Sequence, residues 1–416
     1  MEIVLSHPTG NAFVRAAAKG FLEADMLLQF HTAIASFPGT PLDKIGFLSP
    51  FSEIHRRRFD AALRTKTHLW PWMELWRLLA GKAGLNRLTT HENGFFSVDA
   101  VYKHLDKKVA SQLKNAQKNG ANAIYAYEDG AASSFTRAKE LNMHCLYDLP
   151  IGYWRTARQL MDIERQKRPE WAKTISSFSD SPEKLNRKDE ELRLADNIIV
   201  ASKFTATTLL NYPGKLAPID VVPYAFPSVG NPKEYRKLNG GKLKLLFVGG
   251  LSQRKGIANL FEAVETFKNY VELTIIGYKA VEGCSILDKS LAKHRWIPSL
   301  PHEKILKIMR EQDVLLFPSL FEGFGLVITE AMSQGTPVIT TDRTAGPDFI
   351  THNENGWLIE AGSTLAIEVA IQDILQNPTK VETFGRAAMK TASQRSWRKY
   401  GEELVSVLKN TYKLAY

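Results

Sequence analysis

Short apolar runs rich in β-branched residues recur along this chain, each followed by a turn and a helical stretch. "EIVLS" leads through "HPTGN" into "AFVRAAAKGFLEA" and then "DMLLQFHTAI", and "ANAIYAYE", "HCLYDLP", "ADNIIVAS" and "KLAPIDVVPYAF" continue the series to residue 226. The pattern restarts with "KLKLLFVGG", "VELTIIG", "DVLLFPS" and "TPVITT". Strands alternating with helices specify a doubly wound parallel sheet. A chain of 416 residues is too long for a single core. Two such domains are therefore expected: 1–226, and 242–396 after a Pro/Gly-rich linker at 227–241. A closing helix over 397–416 is expected to cross back to the first domain. In sheets of this kind ligands bind at the carboxyl ends of the strands, so the site belongs in the cleft between the two domains.

"DVLLFPSLFEGFGLVITEAMSQG" meets that expectation. A strand ends near Ser319, a helix starts near Gly325 or Leu326, and Gly335 stops it. Gly323 and Gly325 let the backbone approach a ligand, and the first amides of a helix form an anion site suited to a diphosphate. Glu330, about one turn inside, leans back toward the same end and can grip a vicinal diol such as a ribose. Glu322, before the helix, can accept from sugar hydroxyls. Taken singly, either glutamate could merely complement the helix dipole; the pair around "GFG" suits a nucleotide diphosphate sugar. In "LLFVGGLSQRKGIANLFEAV", Arg254 and Lys255 precede a helix, placed either as solvated turn residues or to neutralise a departing diphosphate. Neither G-x-G-x-x-G nor G-x-x-x-x-G-K-[ST] is present in this stretch, which excludes the common dinucleotide and ATP-loop fingerprints there.

In its second half, over about 242–400, the chain resembles the family 4 glycosyltransferases of the two-domain GT-B type. The carriers are "FVGGLSQRKGIANLFEA", "DVLLFPSLFEGFGLVITEAMSQGTPVITTD" and "NGWLIEAG", with an E-x7-E motif at Glu322 and Glu330. In the first half "ADNIIVASKFTATTLL" and "VVPYAF" are similar more loosely. The resemblance implies a retaining hexosyl transfer from a nucleotide diphosphate sugar, UDP- or GDP-linked, with no cofactor and no divalent metal. It implies that Glu330 holds the ribose, and that the backbone at Phe324, Gly325 and Leu326 holds the diphosphate. Arg254 and Lys255 would stabilise the leaving group, Glu322 would contact the transferred sugar, and Gly10 would face the donor across the cleft. The absence of any Asp-x-Asp agrees with metal independence.

The family's usual arginine after the glycine ending the first strand of this half is replaced by Gly250. Its usual histidine after a central strand of the first domain falls in "HCLYDLPIGYW", which offers Tyr147 and Asp148; Asp148 is the candidate to act beside the reacting sugar. Glu128 and Asp129 in "YAYEDG" form a second carboxylate cluster. Each of these acids could instead be a helix cap or a buried, satisfied group. The loop "HRWIPSLP" is the candidate for the base. Acceptor choice is expected in 30–120 and 147–180.

Of the formal charge of +10, residues 51–120 supply +7, with 13 Lys+Arg against 6 Asp+Glu. There "HRRRFDAALRTKTHLWPWMELWRLL" mixes arginines with Trp70, Trp72 and Trp76. Either 51–90 is a surface for an anionic partner, such as a membrane, or an amphipathic helix packs its tryptophans inward. Nucleic acid is not expected, because no binding motif accompanies the charge. Two cysteines, Cys145 and Cys284, give no disulfide framework. The short apolar run in "MEIVLSHPTG" does not form a secretory signal and no run reaches a membrane span. A cytoplasmic protein is expected, perched on the inner face of the membrane if the basic segment touches it. The acceptor would be a glycan or a lipid-linked sugar, as in cell-surface polysaccharide or lipopolysaccharide assembly, or alternatively a sugar phosphate. A non-catalytic partner or scaffold that keeps the fold is the other alternative.

Overall fold

The computed structural model describes residues 1–45, 57–176, 179–238 and 240–415. It contains two parallel sheets. The first comprises β1 (Ile3–Ser6), β2 (Leu27–Thr32), β3 (Thr67–Leu69), β4 (Ala123–Tyr127), β5 (His144–Leu149), β6 (Asn197–Val200) and β7 (Ile219–Val221). Its order is β3-β2-β1-β4-β5-β6-β7. The second comprises β8 (Leu243–Val248), β9 (Val271–Ile276), β10 (Arg295–Ile297), β11 (Val314–Phe317), β12 (Val338–Thr341) and β13 (Gly356–Ile359), in the order β10-β9-β8-β11-β12-β13. Both are the doubly wound, Rossmann-like sheets expected from the alternating pattern. In each, the strand order reverses beside the first strand, between β1 and β4 and between β8 and β11. At such a point the flanking connections diverge to opposite faces and leave a crevice at the strand ends.

The closing helix Trp397–Ala415 does cross back. Its Tyr400, Leu404 and Leu408 are buried in the core of the first domain beside Phe21 and Tyr125. The approach is backbone to backbone. A Cβ built at Gly20 would stand 2.9 Å from the Cα of Gly401.

Two features depart from the sequence reading. The segment 227–241 has linker composition, yet part of it is pinned to the second domain. Lys233 is buried and donates to the Gln312 carbonyl at 2.6 Å and to Thr336 Oγ1 at 2.9 Å, while Tyr235 donates to the Gly335 carbonyl at 2.9 Å. Burial lowers the Lys233 pKa to about 7. Likewise the stretch after β5 belongs to both halves. Trp171 joins the core of the second domain, and Met161 packs with Leu320 and Phe321.

The Trp-rich segment forms β3 and then the helix Trp72–Lys82, separated by Pro71. Trp70 donates to His31 Nδ1 at 3.1 Å. Trp72 and Trp76, by contrast, are 70% and 53% exposed, so the inward-packing alternative does not describe them. Residues 46–56, which include 51–56 of the expected membrane-contact segment 51–90, lie outside the described residues. Among the described residues no helix is long and apolar enough to cross a membrane.

Candidate functional site

At the β8–β11 crevice two loops meet. After β8, Ser252 accepts from the Arg254 amide and caps a single tight turn, Gln253–Lys255, which leads into the helix Ile257–Thr266. After β11, the loop 318–325 returns past that turn, and the Leu320 amide donates to the Arg254 carbonyl at 2.8 Å. The helix Leu326–Ser333 then starts from Gly325, whose φ of +86° lies in the left-handed region open mainly to glycine. Gln334 caps it and Gly335 follows with φ +72°, as the sequence suggested.

These loops bring Arg254, Lys255 and Glu322 together. Lys255 Nζ touches Glu322 Oε2, and Arg254 Nη1 lies 3.3 Å from the same oxygen and donates to the Phe321 carbonyl at 2.9 Å. Burial, reinforced by the Arg254 guanidinium, lowers the Lys255 pKa. The Glu322 carboxylate in contact opposes that shift. The sequence reading aimed Glu322 at sugar hydroxyls; here Oε2 is the counter-charge of both cations.

The three side chains line a cavity of about 360 Å³ between the domains, together with Gly250, Phe324, Gly325 and Leu326. Phe13, Pro150 and Tyr224 line it from the first domain. Gly10 itself is buried just before the helix that carries Phe13, and its carbonyl accepts from Arg15. Beside Gly250, where the family's arginine is missing, stands the exposed ring of Tyr278, 3.6 Å from the point a Cβ would occupy.

Glu330 sits one turn into the helix, outside this lining, and its Oε1 lies 2.9 Å from His302 Nε2. His302 is exposed and begins the helix His302–Glu311, directly after "HRWIPSLP", whose Arg295–Ile297 form β10. Sequence reading missed this contact, which spans 28 residues and has no local signature.

Asp148 must be corrected. It does not face the cavity. It is 1% exposed, accepts from the Tyr125 hydroxyl at 2.5 Å, and lies near the hydroxyls of Tyr127, Tyr224 and Tyr400. Burial raises its pKa to about 7. A group with a raised native pKa favours the fold most when protonated. Its contribution is complete below about 3.8, the value of an exposed aspartate, and is lost as pH rises through about 7. Asp148→Asn retains an acceptor for Tyr125 without the charge. It is expected to raise the apparent Tm by about 3 °C or more near pH 8 and by less than half as much near pH 5. A melting series across pH checks this, and a variant destabilised near pH 8 would contradict it.

Glu128 and Asp129 belong to a buried ionic cluster. Lys188 stands 3.4 Å from Glu128 and 3.8 Å from Asp129, and Glu191 accepts from the amides of Asp129, Ala131 and Ala132. Tyr147 donates into the same cluster, to Glu191 at 3.0 Å. His7 went unnoticed although it directly follows β1, a central strand. It is buried against Tyr127 with its Nδ1 held by Thr9, and burial lowers its pKa to about 4, so the ring is neutral at pH 7. Among the described residues one trio of metal-type ligands gathers, His91, Glu92 and Asp180, outside the interdomain cavity. Lys184 and Lys188, 3.1 and 3.3 Å from Asp180, already supply positive charge there.

Comparison with known proteins agrees with this geometry. Residues 232–391 match the family described as glycosyl transferases group 1. The amylovoran biosynthesis glycosyltransferase AmsK of Erwinia amylovora is 31% identical over 152 residues, 33% of this chain and 37% of that protein. The capsular polysaccharide biosynthesis glycosyltransferase CapM of Staphylococcus aureus is 30% identical over 195 residues, 43% and 49% of the respective lengths. The chain thus spans about half the length, or less, of these curated relatives. Among solved structures, sucrose-phosphate synthase from Thermosynechococcus elongatus superposes with a TM-score of 0.64 over all of both chains at 18% identity. Anabaena HepE in complex with UDP gives 0.60 at 15% identity, over 99% of this chain and all of the other. The fold is that of the GT-B glycosyltransferases. Over residues 232–391 the second domain is similar to the glycosyl transferases group 1.

Proposed function

We propose that this protein transfers a hexose from a UDP- or GDP-linked donor to a glycan or lipid-linked acceptor, with retention of configuration and without a metal. The observation that carries the reading is the cluster of Lys255, Arg254 and Glu322 beside the amino end of the helix Leu326–Ser333, at the switch point of the second sheet. Two cations and a helix start answer the charge of a diphosphate. HepE, with the same fold, was solved with UDP and with UDP-glucose.

In this reading the diphosphate enters against Phe324, Gly325 and Leu326 and draws Lys255 and Arg254 from Glu322 to itself. Glu322 is then released toward the sugar, whose hydroxyls donate to it in place of the two cations. Glu330 grips the ribose diol from its place one turn further on. The two glutamates are not the acid–nucleophile pair of retaining hydrolases. The leaving diphosphate accepts the acceptor's proton while the acceptor enters on the same face, and the protein positions the substrates and stabilises the developing charge. The curated relatives are enzymes by name, which lends the non-catalytic alternative no support.

The test is a donor panel. UDP- and GDP-sugars are screened for a thermal shift, then for release of the nucleotide diphosphate in the presence of EDTA, and the product anomer is assigned by NMR. Indifference to every donor would overturn the reading. Glu330→Ala is expected to raise the donor KM by about ten- to a hundredfold, with a smaller change in kcat, as the ribose loses two charge-assisted hydrogen bonds. An unchanged KM would remove Glu330 from that role.

A further inference from the structure

We propose that residues 69–98 form a docking surface for an anionic lipid bilayer. On the helix Trp72–Lys82, Trp72, Leu75, Trp76 and Leu79 fall at i, i+3, i+4 and i+7, a single stripe, and are 70, 38, 53 and 54% exposed. Glu74 on the opposite side of the helix and Ala80 on its flank are buried, so the helix is already anchored and the apolar stripe is what it presents outward. The patch continues beyond the helix. Trp76 stacks on Phe96 at 6.2 Å, Phe96 meets Phe95 edge-on at 4.9 Å, and Phe95 is 70% exposed. The Phe96 amide bonded to the Leu88 carbonyl ties the following turn to the same surface. A contiguous exposed apolar area of this kind marks an interaction site.

The charge around it selects the partner. Residues 61–98 contain five basic residues, Arg64, Lys66, Arg77, Lys82 and Arg87, and two acids, Glu74 and Glu92. Neither acid faces outward. Glu74 is buried between Arg57 and Arg77, and Glu92 accepts from Ser181. Arg64, Lys82 and Arg87 are exposed. Tryptophan and leucine on one side with basic residues at the rim are what the headgroup–acyl boundary of an anionic membrane accommodates: apolar rings enter the boundary and cations meet lipid phosphates. A second copy of the chain would oppose like charges across the same patch, and a nucleic acid would have no use for the leucines. Sugar transfer is not needed for this inference.

The test uses the full chain in co-sedimentation with vesicles of phosphatidylcholine alone or with about 30% phosphatidylglycerol, at about 0.1 M and about 0.5 M salt. The protein is expected to sediment with the anionic vesicles, to be released at the higher salt, and to shift its tryptophan emission to the blue. Trp72→Ser combined with Trp76→Ser should weaken partitioning by about tenfold or more at an unchanged melting temperature. Lys82→Glu combined with Arg87→Glu should weaken it by at least about 25-fold, roughly fivefold for each charge. Equal sedimentation of wild type and both variants overturns the proposal. So does a solution dimer that the tryptophan pair dissociates, since the surface would then belong to a second copy.

Discussion

Lys255→Ala is expected to lower kcat by about 10²- to 10³-fold while moving the donor KM far less. The geometry explains why the loss falls on the chemical step. Lys255, its side chain 12% exposed, ends a one-turn loop whose start is tied down: the Gln253 amide donates to Thr174 Oγ1 at 2.9 Å and its side chain to Glu164 at 2.7 Å. The ammonium therefore reaches a fixed point and costs little reorganisation when charge builds on the departing diphosphate. In the ground state its attraction is offset by the loss of Glu322, so its net contribution grows as the bond breaks. Nucleotide diphosphate release under saturating donor measures the effect. A kcat within about threefold of wild type would take Lys255 out of the mechanism.

Gly323→Ala is expected to lower kcat/KM by about a hundredfold without unfolding either domain. A Cβ at Gly323 would stand 2.2 Å from the Pro150 carbonyl and 2.6 Å from Ile151 Cα, both backbone atoms of the other domain. Neither can swing aside as a side chain would. The Gly323 carbonyl also accepts from Ser202 Oγ at 2.6 Å and Thr205 Oγ1 at 2.8 Å, so the loop is clasped from the first domain. Added bulk must part the two halves at the point where Phe324 rests on Tyr224. A displacement of about an ångström at the diphosphate loop is enough for such a loss. Full activity in this variant would mean that the contact between the domains is not needed for turnover, and unchanged circular dichroism separates displacement from unfolding.

Much of the second domain could be read locally. A strand end, a glycine and a helix start are neighbours in sequence, so Gly325, Leu326 and Gly335 could be placed from residue types alone. What escaped depends on distance along the chain. The His302–Glu330 contact and the bond from Gln253 to Glu164 join elements whose packing no periodicity specifies. Asp148 misled for a different reason. Five of the six β5 residues are buried, and a strand covered on both faces has no alternation to reveal which way each side chain points. The three-residue edge strands β3 and β10 carry too few apolar positions to register as strands. The tryptophans of the helix Trp72–Lys82 show the converse limit. Spacing reveals that they share a face, while only the tertiary structure reveals that the face stays largely exposed.

The helix Trp397–Ala415 has a consequence for synthesis. Because Tyr400, Leu404 and Leu408 complete the hydrophobic interior around Phe21 and Tyr125, the first domain must wait for residues made after the second. The second domain has its own strands and helices in hand earlier, so the usual amino-to-carboxyl order of maturation is reversed. Until that helix arrives, the nascent first domain exposes an apolar groove, and during those seconds it is the part of the molecule most in need of a chaperone.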